Sequence, residues 1–346
     1  MAREGLNFDD PGVRLLGRAA AEVRPEELLL VCSGMLPGVR PGATRLVSDA
    51  RERAEGGERC VPLTLEGAAA IAARPERYAA AAVWPRAHLG KDFSLLCLAR
   101  GAMSLRPGGA LLCAARKDKG GASLAAAMEE LVGAVEVVER DRGYSLYRGI
   151  AREVDAAAAA RMLGARYEIH DALLGPVTLA SAPGVFCRRH LDDGTRALLT
   201  FLEGQVMSAP RRVVDLGAGI GPISIWAARR WPEARVTAAE SNLLAAALVA
   251  ENAGRAGVGA RVRVIAGDGL PATPEAVDLV LSNPPTHAGE EELGSLLAPL
   301  PRWLTPGEAW FVVNRPGRVV GLARGLGASV EAWQIDAFHV VRARWG

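Results

Sequence analysis

Asp215, Gly217, Gly219 and Gly221 stand in an Asp-x-Gly-x-Gly-x-Gly run that follows the apolar pair Val213-Val214 and leads into a helix-forming segment, Ile223–Arg230. Glycines at this spacing let the chain turn sharply and let its backbone approach a ligand without Cβ contacts. The helix that follows offers N–H groups with no partner inside the helix. Related loops serve several nucleotide-binding folds, so the residues downstream decide the chemistry. Glu240 closes the next apolar run, about 20 residues on, where a carboxylate accepts both hydroxyls of an adenosine ribose. Ala266-Gly267-Asp268-Gly269 closes a third run and puts a carboxylate where an adenine amine can be read. Asn283-Pro284-Pro285 closes a fourth.

The two prolines fix φ and remove two N–H donors, so the turn is stiff and presents carbonyls. The Asn283 side-chain oxygen and the Pro284 carbonyl both accept hydrogen bonds, and a planar exocyclic amine donates two. An amine held this way points its nitrogen lone pair at a methyl sulfonium, and transfer proceeds by in-line displacement that needs orientation and charge placement but no metal. Glycine loop, ribose acid, adenine acid and Asn-Pro-Pro, in this order, are the layout of class I methyltransferases that use S-adenosyl-L-methionine. The expected cofactor residues are Asp215, Gly217, Ala218, Gly219, Gly221, Glu240, Ser241, Asp268, Gly269 and Asn283. The expected catalytic residues are Asn283, Pro284, Pro285 and His287. For His287 three roles stay open: contact with the base, relay of the proton lost after transfer, or capping of the loop.

Strands and helices must alternate to bring these loops together. Strands are expected at Arg212–Leu216, Arg235–Ala239, Arg261–Ala266, Val277–Leu281 and Ala309–Asn314, with helices such as Ile223–Arg230 and Leu243–Ala256 between them. Five strands with crossover helices make a doubly wound parallel sheet. Two further β-like runs, Ala328–Gln334 and Phe338–Ala343, meet at a short turn around Asp336 and predict an antiparallel hairpin that ends the sheet.

The first half of the chain repeats the tail of the second. Val83–Arg116 and Asn283–Arg315 each carry a proline at a strand end, a helix, a Pro-Gly turn and a strand, and Ala134–Gly149 resembles Ser329–Arg344. This predicts a duplicated α/β fold: residues 1–155 as a degenerate copy without a cofactor site, and residues 165–346 as the catalytic domain. The first copy's opening strand, Leu28–Cys32, runs into a loop without the leading acid or the repeated glycines, and Val83-Trp84-Pro85 stands where Asn-Pro-Pro would. Ala151–Met162 is expected to be a connecting helix or linker. The charged stretch Arg116–Lys119 reads either as a phosphate contact or as a solvated run.

At these residues the chain resembles the bacterial 16S ribosomal RNA guanine-N2 methyltransferases. The likeness rests on Pro183-Gly184-Val185-Phe186-Cys187 followed by Leu191-Asp192-Asp193-Gly194-Thr195, on the Asp215–Gly221 loop, on Asn283-Pro284-Pro285 with His287, and on the duplicated architecture. It implies two tandem Rossmann-like methyltransferase folds, S-adenosyl-L-methionine as cofactor, and small-subunit rRNA or a 30S particle as partner. The departure is Thr286, where the family carries an aromatic that stacks on the base. Phe186 or Trp310 is the candidate replacement. Arg188 and Arg189 are candidate phosphate contacts, and Phe186, Arg188, Arg189 and Thr286 form the expected substrate-binding set. Large-subunit rRNA guanine methylation, protein glutamine N5 methylation and a non-catalytic RNA-binding assembly role are the alternatives.

Composition sets no barrier to this reading. Net charge is only +2, from 41 Lys+Arg against 39 Asp+Glu, so RNA contact has to come from local patches. The chain has three lysines, Lys91, Lys117 and Lys119, and five scattered cysteines without a Cys-x-x-Cys pair. These features fit a cytoplasmic, metal-free, monomeric enzyme, and no apolar run reaches the ~20 residues that span a bilayer.

Overall fold

The computed structural model describes residues 7–52, 59–64, 67, 78–205, 208–285, 289–304 and 306–346. The chain divides into two compact units, Glu4–Arg166 and Tyr167–Gly346. The first carries strands β1 Leu28–Val31, β2 Thr44–Val47, β3 Arg59–Pro62, β4 Tyr78–Val83, β5 Leu105–Arg116, β6 Val135–Asp141 and β7 Tyr144–Ala151. The second carries β8 Tyr167–His170, β9 Thr178–Ser181, β10 Arg212–Leu216, β11 Arg235–Glu240, β12 Val262–Ala266, β13 Leu279–Ser282, β14 Gly307–Val313, β15 Ser329–Ile335 and β16 Phe338–Trp345.

Each unit builds one seven-stranded sheet, in the order β3-β2-β1-β4-β5-β7-β6 and β12-β11-β10-β13-β14-β16-β15. Counted from its own first strand, each sheet has the same order, so the duplication expected from sequence is present in the topology. In the second sheet β12, β11, β10, β13 and β14 run parallel. The expected closing hairpin is present: β16 pairs antiparallel with both β14 and β15. Its turn passes through Asp336 at φ 51°.

The central strands are parallel because both their faces are covered. β13 is buried throughout, and β10 is buried from Val213 to Leu216. Alternating side chains part onto two faces. Val213, Leu281, Trp310 and Val312 join one core with Leu198 and Trp226. Val214, Val280, Phe311 and Val313 join another with Leu297 and Trp303.

Of the two alternatives for Ala151–Met162 the structure shows a helix: Ala151 closes β7, and Asp155 N-caps Ala156–Leu163, which packs on the first unit's helices Lys91–Met103 and Gly121–Val132. Ala158, Ala159 and Met162 are its buried face, a small-residue stripe that carries little periodicity in an alanine run. The pair β8–β9 forms a separate two-stranded antiparallel sheet that the sequence reading does not contain. Strand limits also shift: β12 begins at Val262 because Gly259–Arg261 forms a 3-10 turn.

Candidate functional site

Parallel strand order reverses at β10, whose neighbours are β11 and β13, and ligands of such sheets bind outside the strand ends at this point. The chain leaves β10 into the glycine run. Gly217, Gly219 and Gly221 have φ of 76°, 56° and 92°, a region that side-chain-bearing residues rarely adopt. A Cβ added at Gly217 or Gly219 would meet nothing within 4 Å, whereas one at Gly221 would meet Val249 at 3.1 Å. The first two glycines therefore leave open room along the loop, and the third also lets helix Leu243–Arg255 pack closely. Pro222 starts helix Pro222–Arg230 at its first turn, where its missing N–H costs nothing.

Glu240, at the end of β11, holds this loop. Its Oε2 accepts from the Gly219 N–H at 2.7 Å and its Oε1 from the Asn242 N–H at 2.8 Å. A carboxylate oxygen carries two lone pairs, so one that accepts a backbone N–H can also accept a ribose hydroxyl. Asp215 is fully buried and accepts from the Ser224 N–H and hydroxyl at 2.8 and 2.7 Å, both through Oδ2. Its Oδ1 is buried with no hydrogen-bond partner among the described residues. Burial pushes the Asp215 carboxyl up to about 7, and the two Ser224 bonds oppose that rise. An unsatisfied carboxyl oxygen beneath an open glycine loop, with a second carboxylate at its rim, fits a cationic adenosine compound.

Asn283 follows β13. The Ser282 hydroxyl donates to the Leu216 carbonyl at 2.7 Å and so fastens the Asn-Pro-Pro turn to the strand that feeds the glycine loop. Asn283 Nδ2 donates to Asp192 Oδ2 at 2.6 Å and to Thr195 Oγ1 at 2.9 Å. With both amide N–H groups committed, what the side chain offers a ligand is its Oδ1 acceptor. Asp192 also N-caps helix Asp193–Glu203 by accepting from the Thr195 N–H at 2.9 Å. Gly194, between them, is closely packed: a Cβ there would meet Asp192 Oδ2 at 3.1 Å, Phe338 at 3.3 Å and Asn283 Nδ2 at 3.5 Å. Phe338 thus lies beside Asn283 and is half-buried.

Two buried asparagines tie the segment before the sheet to the loops. Asn242 caps helix Leu243–Arg255 through Oδ1, and its Nδ2 donates to the Gly184 carbonyl at 2.9 Å. Asn252 accepts from the Ala180 N–H at 2.7 Å and donates to the Ala180 and Ile220 carbonyls, each at 2.9 Å. β9 is thereby bonded to the glycine loop through one side chain. Cys187 is no nucleophile here, because burial and then the Asp192 charge push its thiol up to about 12.

Of the residues expected from sequence, Asp215, Gly217, Ala218, Gly219, Gly221, Glu240, Ser241 and Asn283 share this strand-end region. Asp268 and Gly269 follow β12, where Gly269 turns at φ 72° and Asp268 is exposed. Phe186 is 60% exposed, as the surface platform reading requires. Trp310 is not available as a platform: it is 2% exposed, stacks on Trp333 at 5.5 Å and donates to Glu308 at 2.8 Å. It points inward because β14 is a central strand and Trp310 takes its core face. Arg188 and Arg189 are exposed, and the Arg189 guanidinium lies over the Tyr167 ring at 4.8 Å. Thr286 and His287 lie outside the described residues. Phe338 was missed as a site residue, and Asp192 and Thr195 were noted only within the segment that resembles the family. Asp192-x-x-Thr195 is also a helix-capping pattern, whose partner Asn283 lies some 90 positions downstream. Among the described residues no cluster of His, Cys, Asp and Glu is arranged to hold a metal ion.

Residues 176–340 match the family model of the methyltransferase small domain. The ribosomal RNA small subunit methyltransferase C of Pseudomonas entomophila (strain L48) is 32% identical over 203 residues, 58% of this chain and 59% of the relative. The ribosomal RNA large subunit methyltransferase G of Pseudomonas syringae pv. syringae (strain B728a) is 43% identical over 124 residues, 35% of this chain and 32% of the relative. The chain thus matches about three-fifths of the length of the first of these curated relatives and a third of the second. Among solved structures, the T. thermophilus 16S rRNA N2 G1207 methyltransferase, in complex with AdoMet and guanosine, superposes with a TM-score of 0.78 at 21% identity. That match covers 98% of this chain and 93% of the other, so the fold of each unit has its counterpart there.

Proposed function

We propose that the protein transfers a methyl group from S-adenosyl-L-methionine to the exocyclic N2 amine of a guanine in 16S rRNA. The observation that carries this reading is the Asn283 amide, held by Asp192 and Thr195 so that an acceptor remains for the amine, on the same strand ends as the glycine loop. Glu240 and Asp268 take the adenosine; Asp215, Gly217, Ala218, Gly219, Gly221, Ser241 and Gly269 shape its seat. When bound, the cofactor supplies the methyl group as a sulfonium. Asn283 Oδ1 and the Pro284 carbonyl take the two N–H groups of the guanine amine and hold its nitrogen in line, and Pro285 keeps the turn stiff. His287 takes the proton that the amine sheds.

The base has to leave its stack to reach Asn283. Phe338, beside Asn283, supplies the aromatic face that Thr286 lacks. Phe186, Arg188 and Arg189 meet the RNA outside the pocket, the arginines on phosphates. The chain acts in the cytoplasm as a monomer and needs no metal. None of its described helices is long and apolar enough to cross a membrane.

A second reading, guanine N2 in large-subunit rRNA, is favoured by the 43% identity to the large-subunit relative. Transfer of labelled methyl to naked 16S and 23S rRNA, to 30S and 50S particles and to total protein, followed by nucleoside analysis, separates the two. N2-methylguanosine in 16S rRNA or 30S particles, absent with Asn283→Ala, is the expected result. Label in 23S rRNA moves the substrate to the large subunit, and label only in adenine or protein overturns the guanine assignment.

A further inference from the structure

The strand registers set the two units against each other residue by residue. Val83 pairs with Cys113 and Cys113 with Tyr147; Ser282 pairs with Phe311 and Phe311 with Val341. Trp84 therefore takes the place of Asn283, Pro85 that of Pro284, and Tyr144 that of Phe338. The N-caps correspond as well: Asp10 caps helix Pro11–Ala21 as Asp192 caps Asp193–Glu203. Gly12 matches Gly194, and a Cβ on it would meet Tyr144 at 2.4 Å and Trp84 at 3.1 Å. The cofactor side has not been kept. Val31 pairs with Leu46 as Leu216 pairs with Ala239, which puts Leu30 at the position of Asp215 and Val47 at that of Glu240.

What survives in the first unit is a cavity of about 540 Å³ at the ends of β4 and β5, within the ordinary range for a small-molecule site. Trp84 and Tyr144 line it with their rings 6.3 Å apart and 23° from parallel, and the Tyr144 hydroxyl donates to Asp10 Oδ2 at 2.8 Å. Two of the chain's three lysines, Lys91 and Lys119, line it too, both exposed and without an ion pair among the described residues. Arg116 is held by Asp118 at 2.9 Å, and Arg86 donates to the Cys32 carbonyl at 3.1 Å and lies 3.7 Å from Glu52. Among the described residues Asp10 is the one acid of the lining, and the cations outnumber it. Helices Lys91–Met103 and Gly121–Val132 both begin at this cavity behind glycine N-caps that lend no side-chain bond.

We propose that this cavity binds a nucleotide, its base against Trp84 and its phosphate between Lys91 and Lys119. Aromatic stacking on one wall and uncommitted cations on another are the two things a nucleotide requires of a protein surface. Exchange of Asn283 for Trp84 is what the loss of chemistry demands: an amide orients an amine for reaction, and an indole stacks on any base. The nucleotide comes either from a single-stranded RNA segment or from a free nucleoside monophosphate. The inference rests on the proposed function only for the choice of a base as the stacked ring.

Equilibrium binding of guanosine monophosphate and of a 12-nucleotide single-stranded RNA to the full chain, compared with Trp84→Ala, Trp84→Phe and a Lys91→Glu/Lys119→Glu pair, tests the site. We expect Trp84→Ala and the lysine pair each to weaken binding about tenfold or more, as loss of one stacked base does, and Trp84→Phe to stay near wild type. S-adenosylmethionine affinity should be unchanged in all three, since no cofactor residue is touched. Loss confined to the RNA assigns the cavity to a nucleotide within a strand; loss that includes the monophosphate assigns it to the free nucleotide as well. Equal binding of both probes by Trp84→Ala and wild type overturns the proposal, even if the lysine pair weakens RNA, because a basic surface alone would do that. Methyl transfer measured on the same preparations keeps the two readings apart: a cavity that binds in a protein that methylates no guanine retains this site and removes the proposed function.

Discussion

Asp192 Oδ2 accepts from Asn283 Nδ2 at 2.6 Å while the same oxygen caps its own helix at the Thr195 N–H. One carboxylate thus orients the amide that would hold the substrate amine and fixes the start of the helix that carries it. Asp192→Ala is expected to lower kcat on the order of 10- to 100-fold, as misplacement of a positioning group does, with the cofactor KM within about twofold. It should also cost about 1 kcal/mol of stability as a lost cap. Asp192→Asn caps equally well and accepts the same bond, so it should recover most of both. Steady-state kinetics and thermal melts of the two variants check this; equal kcat in Asp192→Ala and wild type would remove Asp192 from the site.

Gly219 separates folding from binding. Its φ of 56° makes a side chain unwelcome, but a Cβ there meets no atom within 4 Å. Gly219→Ala should therefore cost only about 1–2 kcal/mol for the left-handed conformation, yet fill the space against which a ligand backbone-packs. We expect a small drop in Tm and at least a tenfold loss of S-adenosylmethionine affinity by calorimetric titration. A variant that binds as tightly as wild type would show that the loop is not the seat.

Asp215 sets a pH dependence. Its carboxyl is raised to about 7 by burial, against about 3.9 for an exposed Asp. Between these values the folded protein holds a proton that the unfolded chain has lost, so stability falls as pH rises from about 4 through 7 and levels off above. Asp215→Asn removes the titrating group. The Tm of wild type minus that of the variant should become more negative from pH 5 to about pH 7 and level off above; a constant difference would contradict the raised carboxyl.

Asn252 is a stability position, with no ligand role. It is fully buried and makes three bonds to Ala180 and Ile220. Asn252→Ala leaves an N–H and two carbonyls unsatisfied, a loss on the order of 3 kcal/mol. In a unit of this size that lowers Tm by roughly 6–12 °C. Asn252→Asp keeps the acceptor but loses both donor bonds, and should fall at least as far.

Legibility followed the range of the interactions. The glycine loop, Glu240 and Asn283 could be read because each sits at a strand end and acts close to its place in the chain. Trp310 could not be placed, because whether an aromatic on a strand faces a core or a ligand depends on the sheet around it. Asp192 and Thr195 stood out only as part of the segment that resembles the family; their bonds to Asn283, which only the folded sheet brings to them, leave no local signal. β8 and β9 were silent because two four-residue strands of mixed polarity pair only with each other. The duplication was visible in turn chemistry, but the correspondence of Trp84 with Asn283 needed the strand registers.

The position of β16 bears on how the chain is made. This strand pairs with β14 on one side and β15 on the other, so β16, made after both of its neighbours, lies inside the sheet. Until residues 338–345 have been added, β14 presents an open flank and β15 has no partner among the described strands. The first unit has passed the same stage by Ala151, when β7 is complete. Vectorial synthesis therefore offers a complete set of strands to the copy without the glycine loop well before it offers one to the other, and the second unit stays exposed to mispairing until β16 has emerged.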